Sequence, residues 1–229
     1  MFQQTTFALT TLACLGLAAT AQADGPPEDP QPLPPVVVAH DWSGAYAGLS
    51  LSANTGDFGN GGNFPGDGEG DLSGSGYGLL LGYNIQNGKW VYGAELALSG
   101  ADINGHEDCS NTVYECGAKI DRFGSLRAKL GYTVGPQTLV FGLAGFAAAD
   151  VYAYTDDDGV FGRGRNGETQ RVNGYVFGLG LEHMVSKNVA LRGAIIHHSF
   201  NDADYMTDVP YSDIDADFTS IEIGVTYQF

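Results

Sequence analysis

From Trp42 to the last residue, apolar and polar side chains alternate with a period of two. That rhythm predicts strands with one face in an apolar medium and one in a polar medium. The final segment shows it most plainly: Ile221, Ile223, Val225, Tyr227 and Phe229 share one face, and Glu222, Gly224, Thr226 and Gln228 the other. Seven earlier strands are predicted by the same rule. The first sets Ala45, Ala47, Leu49 and Leu51 against Gly44, Tyr46, Gly48 and Ser50. The second sets Tyr77, Leu79, Leu81, Tyr83 and Ile85 against Gly76, Gly78, Gly82 and Asn84. The third sets Trp90, Tyr92, Ala94, Leu96 and Leu98 against Gly93, Glu95 and Ser99, and the fourth Leu126, Ala128, Leu130 and Tyr132 against Ser125, Arg127 and Lys129. The fifth, Leu139 to Ala149, is apolar on both faces and its phase stays open. The sixth sets Tyr175, Phe177, Leu179 and Leu181 against Gly178, Gly180 and Glu182; the seventh sets Val189, Leu191 and Ile195 against Arg192 and Ala194.

Strands of this kind aggregate in water if an edge is left open. A closed barrel with its apolar face in lipid pairs every edge. The connections agree. Asn87-Gly88 reads as a tight hairpin turn, and Gly135-Pro136 and Ser186-Lys187-Asn188 are similarly short, whereas those near 54–74, 100–118, 151–171 and 200–216 run to roughly twenty residues. The expected fold is all-β: an eight-stranded antiparallel transmembrane barrel, up-and-down, with short periplasmic turns and long extracellular loops. Eight strands place both termini in the periplasm. A soluble barrel would invert the faces and put the strand charges outside an apolar cavity. Aromatics group at strand ends, with Trp42, Tyr83, Trp90, Tyr132, Tyr227 and Phe229 at one rim and Tyr77, Tyr175, Phe200 and Phe218 at the other. Two interfacial belts are the expected reading.

Charge and composition narrow the setting. The formal net charge of -17, from 27 acidic and 10 basic residues, argues against nucleic acid as a partner. Residues 1–23 read as a signal peptide, with the largely apolar Phe7–Thr20 followed by Ala21-Gln22-Ala23, although Met1–Thr6 holds no Lys or Arg. Residues 24–40, with Pro26, Pro27, Pro30, Pro32, Pro34 and Pro35, read as a periplasmic linker, and residues 41–229 as the barrel. In an oxidising compartment Cys109 and Cys116 are expected to close a disulfide. No cofactor or metal is expected; Asp156-Asp157-Asp158-Gly159 lacks the spacing of a calcium loop.

Several stretches are more specific than alternation: Asp41-Trp42-Ser43-Gly44-Ala45-Tyr46-Ala47-Gly48, Leu81-Gly82-Tyr83-Asn84, Val91-Tyr92-Gly93-Ala94-Glu95, Gly124 to Tyr132, Gly178-Leu179-Gly180-Leu181-Glu182 and the Tyr227-Gln228-Phe229 ending. As an ordered set over about Asp41–Phe229 they resemble the small outer-membrane β-barrel family of α-proteobacteria, the major surface proteins of brucellae and rhizobia. The resemblance implies an eight-stranded surface protein of the outer membrane. It also implies that Ile221, Ile223, Val225, Tyr227 and Phe229 form the signal read by the barrel assembly machinery. The chain departs from the family at Ala194-Ile195, where an acidic residue then Tyr is usual, and at Ser199, where Asp is more usual.

The polar face carries Glu95, Glu182 and Glu222 with Arg127, Lys129 and Arg192, all near the short-turn ends. In so narrow a lumen they are expected to pair into a salt-bridge network and leave no channel. The expected function is therefore structural: display of acidic loops to a host or environmental partner, with support of the envelope. A narrow porin is the alternative. A second alternative is a lipid A deacylase-like enzyme using His197 and Ser199, as base and nucleophile on one strand face. Arg122, Arg163, Arg165 and Arg171 are candidate contacts for lipopolysaccharide phosphates.

Overall fold

The computed structural model describes residues 39–157 and 159–229. The expected signal peptide and nearly all of the expected linker lie outside the described residues. Nine strands follow in order: β1 (Gly44–Gly59), β2 (Glu69–Asn87), β3 (Trp90–Asp108), β4 (Glu115–Thr133), β5 (Thr138–Asp156), β6 (Asn166–Met184), β7 (Val189–Phe200), β8 (Ala203–Met206) and β9 (Pro210–Gln228). β1 to β7 each pair antiparallel with the next in order, β7 pairs with β9, and β9 returns to β1. Eight strands thus close a barrel. The four-residue β8 pairs only along the upper part of β9.

Closure follows from the register. Ala47 to Leu51 of β1 lies opposite Tyr227 to Ile223 of β9, so the apolar positions of both strands share the outer face. The short turns occupy 88–89, 134–137 and 185–188, and Gly88 takes the positive φ of 62° that the Asn-Gly turn requires.

The long connections are far shorter than the sequence suggested. Strands continue to Gly59, Asp108 and Asp156 and resume at Glu69, Glu115 and Asn166, leaving tips at 60–68, 109–114 and 157–165, while β8 lies within the fourth connection at 201–209. Six of the barrel strands run 19 residues, about twice the roughly 9–11 needed to cross a bilayer. The upper halves project beyond any apolar band.

The two halves have opposite polarity. In the lower half the outer face is apolar and the lumen charged. In the upper half the outer face is polar, with Asp57, Asp71, Asp102 and Asp150, and the lumen is filled by Phe58, Leu72, Ile103, Ile120, Val151 and Ile214. In β9 the crossover needs no bulge. From Asp215 onward odd positions point outward, but they change from Asp215, Asp217 and Thr219 to Ile221, Ile223 and Val225. Sequence reading missed the upper half because in strands such as β9 the period of two persists while the meaning of each parity reverses, and in β4 a bulge at Asp121 moves the inward parity from even to odd.

Three assignments change accordingly. Phe200 and Phe218 are not belt aromatics; they point inward and pack at 5.9 Å. Trp42 is not a belt residue either. It is 2% exposed and closes the lower end of the lumen with Val91, Leu139, Met184 and Ala190. The open phase of β5 is decided by volume: Leu139, Phe141 and Leu143 face in, while Val140, Gly142, Ala144 and Phe146 face out.

Candidate functional site

An eight-stranded barrel has room inside only for side chains, so large residues from one strand need small ones opposite. Tyr46 crosses the lumen because Gly82 on β2 has no Cβ to meet its ring. Its hydroxyl donates to Glu95 Oε2 at 2.7 Å. Glu95, on β3, is the hub of the cluster. Arg192 of β7 donates to both its oxygens at 2.7 and 3.0 Å, and Arg127 of β4 reaches Oε1 at 3.4 Å. Glu182 of β6 accepts from Lys129 at 2.8 Å and from Arg192 at 2.9 Å. Glu222 of β9 lies 3.7 Å from Arg127. The structure therefore brings together all six lumen charges singled out in the sequence, each 3% exposed or less. Burial at this depth leaves a charge stable only beside a partner.

Sequence reading missed the uncharged members. Ser125 accepts from Arg127 Nε at 2.6 Å. The Phe141 ring lies beneath Lys129 and Arg192, at 4.5 and 4.7 Å from its centroid. Above the cluster His198 sits wholly buried between Phe123 at 5.0 Å and Phe218 at 4.6 Å. Its even parity in β7, shared with Arg192 and Ile196, was the available signal.

The four candidate phosphate contacts separate into two groups. Arg122 of β4 and Arg171 of β6 flank Asp150 of β5 in one outward row, at 3.4 Å and at 2.8 and 3.1 Å. The Arg171 hydrogen bonds hold Asp150 below the usual carboxylate range. Arg163 and Arg165 are instead at the 157–165 tip. Arg165 bonds Asp156 at 3.1 Å and stacks 4.0 Å over Tyr154.

That tip is organised by Asp157, whose carboxylate accepts from the backbone N–H groups of Gly159, Phe161, Arg163 and Gly164 at 2.7–3.1 Å. Burial works to raise its pKa, and the four donors outweigh burial and lower it. At another tip Cys109 and Cys116 form the expected disulfide, buried against the apolar upper lumen.

His197 and Ser199 share the outward face of β7. His197 Nδ1 lies 3.0 Å from Thr219 Oγ1, and its ring packs against Phe177 at 5.1 Å. Ser199 is opposite Tyr175 in the β6–β7 ladder, one residue from the end of β7.

A family model described as "Outer membrane protein beta-barrel domain" matches residues 9–229. The chain belongs to this outer-membrane β-barrel family. Among relatives of this outer-membrane barrel protein, the "22 kDa outer membrane protein" of Rhizobium leguminosarum bv. viciae is 31% identical over 199 residues, covering 85% of this chain and 82% of the relative. The "31 kDa outer-membrane immunogenic protein" of Brucella melitensis biotype 1 is 26% identical over 239 residues, covering 96% and 98%. Both agree with the α-proteobacterial resemblance read from the motifs. Among solved structures, the outer membrane protein OprG of Pseudomonas aeruginosa superimposes with a TM-score of 0.53 at 14% identity, over 83% of this barrel protein's chain and 98% of its own. That likeness concerns the fold alone.

Proposed function

We propose that this outer-membrane barrel is a structural and display protein with a closed lumen, its acidic strand extensions and tips outside the cell and its termini in the periplasm. The observation that carries the reading is the filling of the lumen. Trp42 covers its lower end, the ion-pair cluster around Glu95 follows, and the Phe58–Leu72–Ile103 core fills the upper half. A solute path would have to break several buried ion pairs and displace a packed apolar core. The Brucella relative is named as immunogenic, which suits a protein that presents surface to a host.

Purified protein in planar bilayers tests the reading. Closed lumens give no steady conductance above the lipid baseline. A large, stable conductance from the monomer would establish the narrow porin instead. The enzyme alternative loses support from geometry, because His197 is engaged by Thr219 and Phe177. The barrel assembly machinery enters as a partner through the carboxy-terminal strand. Its signal residues Ile221, Ile223, Val225, Tyr227 and Phe229 all lie on the outer face.

A further inference from the structure

We infer that the outer wall formed by β4, β5 and β6 holds a phosphorylated, acylated glycolipid, its phosphate on Arg122 and Arg171 and one acyl chain in the groove beneath them. This rests on the proposed orientation, which puts that wall in the leaflet where such a lipid resides.

The rows of these strands can be read downward from the register. Arg122, Asp150 and Arg171 lie side by side, followed by Gly124, Ala148 and Asn173, then Leu126, Phe146 and Tyr175, then Ala128, Ala144 and Phe177. The arginine row is thus the second row above the last large apolar side chains. That is the level at which a headgroup meets water.

Two guanidiniums share one carboxylate, so the row keeps one net positive charge on a strongly acidic chain. Both arginine side chains are more than 70% exposed, and each has more N–H donors than Asp150 takes up. Paired guanidiniums suit phosphate because their donors match its oxygens. Asp150 is a positioning residue that holds both forks in place.

The groove lies lower on the same strands. Small side chains at Ala128, Gly142 and Ala144 form its floor, and Leu130, Phe177 and Leu179 its sides, around a volume of about 1010 Å³. An apolar groove within the band, open toward lipid, with the Leu126–Phe146–Tyr175 and Gly124–Ala148–Asn173 rows between it and the basic row, fits an acyl chain carried by an anionic headgroup. A second apolar groove, lined by Leu49, Leu51, Tyr77 and Ile223, supplies the contrast. Above it the register sets Asp71, Asp57 and Asp217 in one row. Like charges there repel a phosphate. The two grooves are both apolar, and the charge above each selects the one that an anionic lipid enters.

Protein reconstituted in neutral lipid nanodiscs and titrated with purified bis-phosphorylated lipid A, read by native mass spectrometry, tests the assignment. Dephosphorylated lipid A, phosphatidylglycerol and inorganic phosphate are run beside it. Lipid A is expected to bind at least tenfold more tightly than either lipid control, and inorganic phosphate is expected not to displace it. Arg122→Gln with Arg171→Gln should remove that preference, while Lys187→Gln in the short turn at the opposite end leaves it intact. Ala144→Leu, which fills the groove without changing charge, should weaken lipid A several-fold. Heat-modifiable gel mobility shows that each variant is folded. Equal binding of phosphatidylglycerol, or lipid A binding unchanged in the double arginine variant, overturns the proposal. Orientation is read separately by surface proteolysis of intact cells at the 157–165 tip, so a wrong orientation and a wrong site give different results.

Discussion

Glu95 illustrates how a single residue sets the character of this barrel. It accepts hydrogen bonds from Tyr46, Arg127 and Arg192, which come from three different strands. Glu95→Ala would leave two guanidiniums short of a partner in a lumen filled by side chains. Breaking a buried pair in this way costs about 3–5 kcal/mol, so the denaturant midpoint of the purified barrel should fall sharply. Arg163→Gln, on an exposed tip, should shift it by less than about 0.5 kcal/mol. Equal midpoints for the two variants would mean the cluster is not coupled to stability. Charge at these six positions was legible in the sequence because each falls at the inward parity of a clear strand. Which acid meets which base was not, since the pairs join residues up to 97 positions apart.

At the scale of the element, β9 shows where the apolar band stops. Ile223 and Thr219 are both at outward parity, one within the band and one above it. A Lys on the lipid face near the midplane costs about 2–4 kcal/mol and little near the interface. Ile223→Lys should therefore destabilise the barrel in lipid vesicles by that order, and Thr219→Lys by about 1 kcal/mol or less. Comparable losses would place the band edge higher than the side chains indicate. The 157–165 tip yields a pH expectation. Asp157 has a pKa held below 3.8 in the folded loop, so its contribution is complete at all pH values above 3.8 and is lost only as pH falls through the lowered value. Limited proteolysis of the tip should be unchanged from neutral pH down to about 4 and rise below it; Asp157→Ala should be cut readily at every pH, with the barrel still folded. The tip was read from sequence only as part of a long acidic loop. A carboxylate that gathers four backbone donors depends on chain geometry within the turn, which composition does not reveal.

At the scale of the whole molecule, the barrel joins two halves of opposite polarity end to end. The lower one follows the membrane rule, apolar outward and charged inward. The upper one follows the rule of water-soluble barrels, with Phe58, Phe64 and Phe218 in a packed core. A sequence scan tuned to the first rule finds the lower half and reads the second as loop. The end of the chain belongs to this scale too. Phe229 is 75% exposed; its N–H donates to Ala45 O at 3.0 Å, and its ring meets Tyr227 at 5.1 Å. It contributes little buried surface. Deleting it should slow insertion by the assembly machinery in a reconstituted assay while leaving the unfolding midpoint of inserted protein within about 1 kcal/mol. A large loss of midpoint with normal insertion would assign Phe229 a structural role instead.

Sequence alone determined the strand faces, the short-turn rim, the closing pair of β1 and β9 and the six charges of the lumen. Each of these follows from parity and turn chemistry, which are local. Tertiary structure alone decided the height at which the outward face turns from apolar to polar, the inward turn of Trp42, Phe200 and Phe218, and the phase of β5. It also decided that Arg122 and Arg171 meet around Asp150 while Arg163 and Arg165 do not. Those outcomes depend on strand register and on what fills a closed lumen, and both arise only when distant strands are paired.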